Sequence, residues 1–420
     1  MKSVCFGAAE ILLPDFEKVD GTKWSVVACD QYTSEPEYWR AVEQTVGDAP
    51  STLRLMLPEI FLSEREARIP AIHNAMREAL DHTLESHPDA MIFVERTQSD
   101  GRVRRGVVGA VDLEDYDYRR GSSSLIRATE GTVLERIPPR VAVRRGAPLE
   151  LPHVMLLIDD REKSVIEPLM NRSDSRLAYD FDLMAGGGHI RGAFLSRDAQ
   201  KAVQDALAKL IAPEAMRARY GDAKLAPLLF AVGDGNHSLA SAKAYYEELK
   251  ESLGEERAKR HPARYALAEI VNLHDDALTF EPIYRVLFHA DPADLLAAFR
   301  AEIAALSGNA APQEIEVIFA NGAQKCEVPH PDLQLPVATL QRFLDRYLAS
   351  HPAVSVDYIH GEDTVRSLVA AAPDRVGFLF AGMEKTDLFR TVLFDGALPR
   401  KTFSMGYAQD KRFYLECRKI

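Results

Sequence analysis

The sequence predicts an α/β fold of the α+β kind, and three observations carry that expectation. Helical and strand patterns alternate along the chain. Two short apolar runs, 154–158 and 228–232, have the length and composition of buried strands. The second runs directly into Gly233-Asp234-Gly235-Asn236-His237-Ser238, after which a helical pattern extends over about 238–253.

The elements follow in order. In the segment 1–120, residues 25–29 predict a short strand, and 35–46 a helix for which Ser34 is a cap candidate. A long amphipathic helix is expected over 64–84. Strands over 91–96 and 106–112 flank Ser99-Asp100-Gly101, a hairpin signal. In the segment 121–270, the strand 154–158 ends in Asp159-Asp160, and 198–210 is helical. The segment 271–420 reads as a smaller C-terminal α/β unit. Its strands are expected at 283–288, 315–319, 354–359, 376–380 and 391–394, and its helices at 295–306, 339–349 and 364–371. The tail 398–405 is rich in turn-forming and basic residues, suited to lie across another domain.

The chain has 420 residues, enough for two or three domains with cores of their own. Its 46% hydrophobic and 27% charged residues exclude a mainly disordered chain. A net charge of -12 argues against nucleic acid as a partner, because phosphate attraction needs a basic surface. Cys5, Cys29, Cys326 and Cys417 form no C-x-x-C pair, which speaks against a zinc site or a disulfide framework. Glu10 and Asp15 interrupt the apolar stretch after Lys2, so no secretory signal is read there. No apolar run reaches the length of a membrane span. The expectation is a cytoplasmic protein with small-molecule partners and no membrane; a homo-oligomer stays open.

The glycine box is the sharpest chemical feature. Gly233 and Gly235 let the backbone approach a ligand closely, and the helix that follows offers amides and a positive dipole end to an anion. Asp234 suits a magnesium ion or a base, and His237 a phosphate contact or proton transfer. An ordinary capped turn explains the same residues. Arg127 and Glu130, three apart, share one face if helical, as phosphate ligand and base or as a plain ion pair. Arg140 follows a rigid Pro138-Pro139 corner and, with Arg144 and Arg145, forms an anion clamp or a solvated basic loop. Asp159, at the end of its strand, suits magnesium; His153 precedes the same strand, at the opposite end from Asp159. Gly186-Gly187-Gly188 is a lid or a hairpin turn. Glu281 and Arg285 reach into the site or form a salt bridge.

The stretch Gly233-Asp234-Gly235-Asn236-His237-Ser238-Leu239-Ala240 resembles the D-G-H-H-R-x-x-x-A box of the DUF-1015 family. Further stretches look like the same family, in the same order: Arg127-Ala128-Thr129-Glu130-Gly131-Thr132, Ile137-Pro138-Pro139-Arg140, 152–160, 280–285 and Leu398-Pro399-Arg400-Lys401. The box is also similar to the G-x-H-R box of the ParB and sulfiredoxin superfamily, which includes kinases of free serine. The resemblance implies a ParB/sulfiredoxin-like core and a nucleotide-dependent phosphotransferase acting on a small hydroxyl metabolite such as free serine. It implies ATP or ADP and Mg²⁺ as cofactors and a link to serine metabolism. In that scheme the turn Gly233, Gly235, Asn236, His237 and Ser238 holds phosphates, and Arg127 and Arg140 neutralise charge. Asp234 or Asp159 holds magnesium, and Glu130 is the base. A phosphoserine-type phosphatase at the same site, or a nucleotide-binding module without turnover, are the alternatives. Ser238 departs from the box, which has arginine there, and cannot supply its charge; either Arg127 or Arg140 compensates, or this branch takes a different ligand.

Overall fold

A computed structural model describes residues 4–222 and 224–420. It is mixed α/β, with twelve α-helices among the described residues. The chain divides into two compact units. The first comprises Met1–Ala128, Thr132–Leu278 and Tyr407–Ile420; the second comprises Thr129–Gly131 and Thr279–Gly406. No helix among the described residues is long and apolar enough to cross a membrane.

The first unit is built on a ten-stranded mixed sheet. Its spatial order is Arg176–Asp182, His189–Phe194, Ile92–Thr97, Val103–Asp112, Tyr265–Asn272, Met155–Ile158, Phe230–Asp234, Ile126–Ala128 and Tyr116–Asp117, and Phe6–Gly7 also pairs with Val103–Asp112. Alternation along a strand sends side chains to opposite faces. Ile92 and Val94 accordingly join a core containing Trp24, Trp39 and Tyr179. Met91 and Phe93 join a second core containing Phe230, Leu239 and Tyr246. The expected hairpin forms between Ile92–Thr97 and Val103–Asp112. The glycine run is also a hairpin turn, linking Arg176–Asp182 to His189–Phe194. Gly188 is required there: its φ is +76°, and a Cβ would lie 2.2 Å from the Thr97 carbonyl oxygen.

One pairing sets the geometry of the site. Met155–Ile158 runs parallel to Tyr265–Asn272 but antiparallel to Phe230–Asp234, so Met155 lies opposite Asp234. His153 and Asp234 therefore share one end of the sheet, and Asp159 lies at the other.

The C-terminal segment is sewn into this unit by short pairings: Phe413–Tyr414 with Val26–Val27, and Arg418–Lys419 with Leu149–Glu150. Buried charges hold it. Arg412 Nε is 3.0 Å from Glu269 Oε2, and Arg412 Nη2 is 2.8 Å from Glu416 Oε2. Tyr179 donates to Glu416 at 2.7 Å, and Arg418 Nε donates to Glu150 at 2.8 Å.

The second unit carries an antiparallel sheet in the order Gly322–Val328, Gln313–Phe319, Val376–Phe380, Phe280–Phe288 and Ser355–His360, and Phe403–Met405 also pairs with Phe280–Phe288. The tail 398–405 packs within this unit: Arg285, fully buried, donates to the Lys401 and Arg400 carbonyls at 3.0 and 3.1 Å. Glu281 sits in the same sheet opposite Ser404. Three sequence expectations are corrected. Residues 391–394 end a helix, Lys385–Phe394, started by a capping box of Glu384 and Asp387. Its buried residues Leu388, Phe389 and Val392 recur at helical spacing. Pro138-Pro139 is not a corner before a loop but the first turn of the helix Ile137–Arg144, where a missing N–H costs nothing. Ser34 caps nothing either; Glu35 is the N-cap and Pro36 begins the helix.

Candidate active site

The box lies where the strand Phe230–Asp234 gives way to the helix Asn236–Leu253. Gly235 makes the turn in the left-handed region, φ 77° and ψ 27°. A Cβ at Gly235 would meet Val154 Cα at 3.0 Å. Gly235→Ala is expected to cost about 1–3 kcal/mol, seen as a lowered midpoint in chemical denaturation, because both the backbone conformation and the contact oppose it. No side chain caps this helix. Its first turn therefore presents backbone amides and the positive end of the dipole to the space beyond the strand.

Around that turn a polar chain assembles. Ser238 Oγ is 2.8 Å from His153 Nε2, and His153 Nδ1 is 2.9 Å from Tyr414 Oη. The Cys29 N–H donates to Tyr414 Oη at 3.4 Å. Asp30 Oδ2 stands 4.0 Å from His153 Nε2. The short pairing of Val26–Val27 with Phe413–Tyr414 brings Tyr414 and the Cys29-Asp30 loop to the histidine. Two proton arrangements satisfy the chain. With Tyr414 donating to Nδ1, the Nε2–H donates to Ser238. With Nδ1–H donating to Tyr414, Nε2 presents a lone pair to the Ser238 hydroxyl and is a base.

Asp234 accepts from the Gly235 N–H at 2.9 Å and pairs with Lys411 Nζ at 3.2 Å. Burial works to raise its pKa, but Lys411 and His153 outweigh it, and the carboxyl sits below the usual range. The site thus holds an ionised carboxylate and an ammonium beside the helix end.

His237 has a different character from the expected phosphate donor. Its Nε2 accepts from the Val133 N–H at 3.4 Å. Burial first, then Arg140 and Arg136, push its pKa down from 6.5 to about 4. The ring is therefore neutral at pH 7. The folded value lies below the unfolded one, so the stability it confers is complete above about pH 6.5 and is lost as the pH falls toward about 4. His237→Gln is expected to flatten this acid limb by about 1–2 kcal/mol, discounted because the ring is partly open to solvent. Unfolding midpoints at neutral and acid pH measure it.

The remaining sequence candidates are placed as follows. Gly233 is the penultimate residue of the strand, and Asn236 is the buried first residue of the helix. Arg127 lies in the strand Ile126–Ala128, not on a helix, so it shares no helical face with Glu130. Its guanidinium is buried and donates to the carbonyls of Ser124, Ala226 and Pro227 at 2.8, 2.9 and 3.2 Å, bracing the loop before the box strand. Arg140 pairs with Glu59 and donates to the Arg136 carbonyl at 2.7 Å. Glu130 belongs to the second unit, where it bridges to Leu398. Asp159 is buried at the far end of its strand, 2.6 Å from both Tyr220 Oη and His274 Nε2, with Arg161 at 3.6 Å and Arg219 at 3.7 Å. Two of those partners are arginines, so the carboxylate is already neutralised where it lies. Among the described residues no group of three or more His, Cys, Asp or Glu side chains is arranged to hold a metal. Asp234, the other carboxylate expected to hold magnesium, is paired with Lys411. Asp30, Lys411 and Tyr414 escaped the sequence reading. They stand singly in irregular or two-residue elements, where periodicity gives no signal.

Residues 14–347 match the family described as Protein of unknown function (DUF1015), and this chain belongs to that family. No curated protein matches it. Among solved structures the chain is similar to a free serine kinase variant in complex with ADP, at 11% identity and a TM-score of 0.38, over 75% of this chain and 92% of that one. A variant of a free serine kinase in complex with AMP is similar at 10% identity and a TM-score of 0.38, over 75% and 92%. A conserved hypothetical protein from Pyrococcus furiosus is similar at 10% identity and a TM-score of 0.34, over 74% and 94%.

Proposed function

We propose that the protein is a cytoplasmic phosphotransferase, moving a phosphoryl group from ATP or ADP to the hydroxyl of a small metabolite. The observation that supports this most is the 2.8 Å contact of Ser238 with His153 at the first turn of a helix with no side-chain cap. Phosphoryl transfer asks for charge cancellation and in-line positioning more than covalent help. In this reading the first-turn amides of His237 and Ser238 and the ammonium of Lys411 receive the phosphates, on a core of the ParB/sulfiredoxin-like kind. The substrate hydroxyl lies beside Ser238. Its oxygen forms the new bond to phosphorus as the bond to the departing nucleotide breaks, and its proton passes to His153 Nε2. The base role assigned to Glu130 from sequence is better supported for His153, with Asp30 at 4.0 Å to stabilise the imidazolium. Tyr414 and Asp234 are positioning residues. They orient the ring and hold Lys411.

Incubation with ATP or ADP, magnesium and a panel of hydroxyl metabolites including free serine, followed by phosphorus NMR, tests the reading. A new phosphate ester that disappears in His153→Ala supports it; no ester with any acceptor defeats it. The same contact favours a second reading, ester hydrolysis through Ser238 as nucleophile. There the serine oxygen attacks phosphorus, its proton passes to His153 and then to the leaving alcohol, and water releases the phosphate. Phosphate release from phosphoserine without nucleotide, abolished by Ser238→Ala, would favour that reading over transfer.

A further inference from the structure

Beside the His153–Ser238 pair lies a cavity of about 150 Å³ within the first unit. Leu55, Met56, Leu57, Met76, Val143 and Leu151 give it aliphatic walls. Apart from Ser241, whose hydroxyl donates to the His237 carbonyl at 2.7 Å, its polar groups are of two kinds. His153, Ser238 and Tyr414 are the hydrogen-bonded chain already described. Arg140, Glu59, Arg144 and Glu150 are the other kind, and they neutralise one another as two internal pairs. Glu150 is further held by Arg418 at 2.8 Å and by the Leu267 N–H at 3.0 Å.

An ammonium or carboxylate brought into such a space leaves water and finds the opposite charges engaged, which is costly. An apolar group loses nothing there and gains contacts. The pocket opens partly to solvent, and its volume of about 150 Å³ has room for a group the size of benzene. From this geometry we propose that the hydroxyl substrate carries an uncharged apolar group of about six heavy atoms. That group fills the cavity while the hydroxyl meets His153 and Ser238. The inference rests on the reading of His153 as the group that takes the hydroxyl proton. It replaces free serine, whose charges the cavity does not serve, with an alcohol bearing an aliphatic or phenyl group.

The test uses the full chain and 4-fluorobenzyl alcohol as probe, followed by fluorine NMR. Saturable binding is expected, and binding in a series of straight-chain alcohols should tighten roughly fourfold per methylene up to about six carbons. Ala147→Leu, at a buried wall residue, should weaken the probe at least tenfold. Leu57→Ala enlarges the space and should move the optimum to a longer alcohol, which keeps the test sharp if the leucine variant folds poorly. Probe binding that persists in Ser238→Ala, with no phosphoryl transfer in the wild type, upholds the cavity and overturns the phosphotransferase. Phosphorylation of free serine by a protein that neither binds 4-fluorobenzyl alcohol nor is inhibited by it overturns the cavity proposal and leaves the phosphotransferase standing.

Discussion

His153→Ala is expected to lower kcat for phosphoryl transfer roughly 10²–10⁴-fold, the range for losing a general base. KM for the nucleotide should move little, because its phosphates are received by helix amides and Lys411 and not by the imidazole. Two further readouts separate catalysis from simple packing. Added imidazole should restore part of the rate in the alanine variant. Tyr414→Phe, which removes the hydroxyl 2.9 Å from Nδ1 but keeps the ring, should fall between wild type and His153→Ala. Steady-state kinetics on the accepted alcohol measures all three. An alanine variant with unchanged kcat would remove His153 from the chemistry.

Arg412→Met is expected to destabilise the first unit by about 3–5 kcal/mol, the largest stability effect foreseen here. Its guanidinium lies between two buried carboxylates, Glu269 at 3.0 Å and Glu416 at 2.8 Å, and also donates to the Pro152 carbonyl at 3.1 Å. Removing one cation leaves Glu416 with Tyr179 as hydrogen-bond donor, and Glu269 with Arg104 at 3.6 Å. Adding Glu416→Gln to the variant should recover part of the loss, since an unpaired buried charge and not the missing contact dominates the cost. Denaturant unfolding gives both values. Activity should fall with stability, because Arg412 holds the residue before His153 and sits two positions from Tyr414. Equal midpoints for wild type and Arg412→Met would show that the C-terminal segment is not anchored by these charges.

The strands nearest the site were legible because their chemistry is local. Met155–Ile158 is apolar at every position and fully buried, and the box glycines announce the turn into the helix. The sense of pairing was not legible, since strand direction depends on partners remote in sequence. Yet that sense decides which residues meet. Because Met155–Ile158 runs antiparallel to the box strand, Asp234 meets His153, and Asp159 is left among Tyr220, His274 and Arg219. Arg127 illustrates another limit. A lone arginine looks the same in sequence whether it faces a phosphate or, as here, three backbone carbonyls. The run Thr391-Val392-Leu393-Phe394 was too short to tell strand from helix, and the capping box of Glu384 and Asp387 settles it. Lys411 and Tyr414 carry no pattern at all. Their place follows from two-residue pairings and buried charges that only the folded chain defines.

In the proposed reaction the turn at Gly235 receives a nucleotide phosphate within reach of His153. A titration of histidine-labelled protein with ADP, following the imidazole nitrogens by NMR, tests it most directly. Saturable shifts of the His153 resonances are expected, with weaker binding in Lys411→Ala. Saturable ADP binding that leaves His153 untouched, or no binding at millimolar ADP, would contradict it.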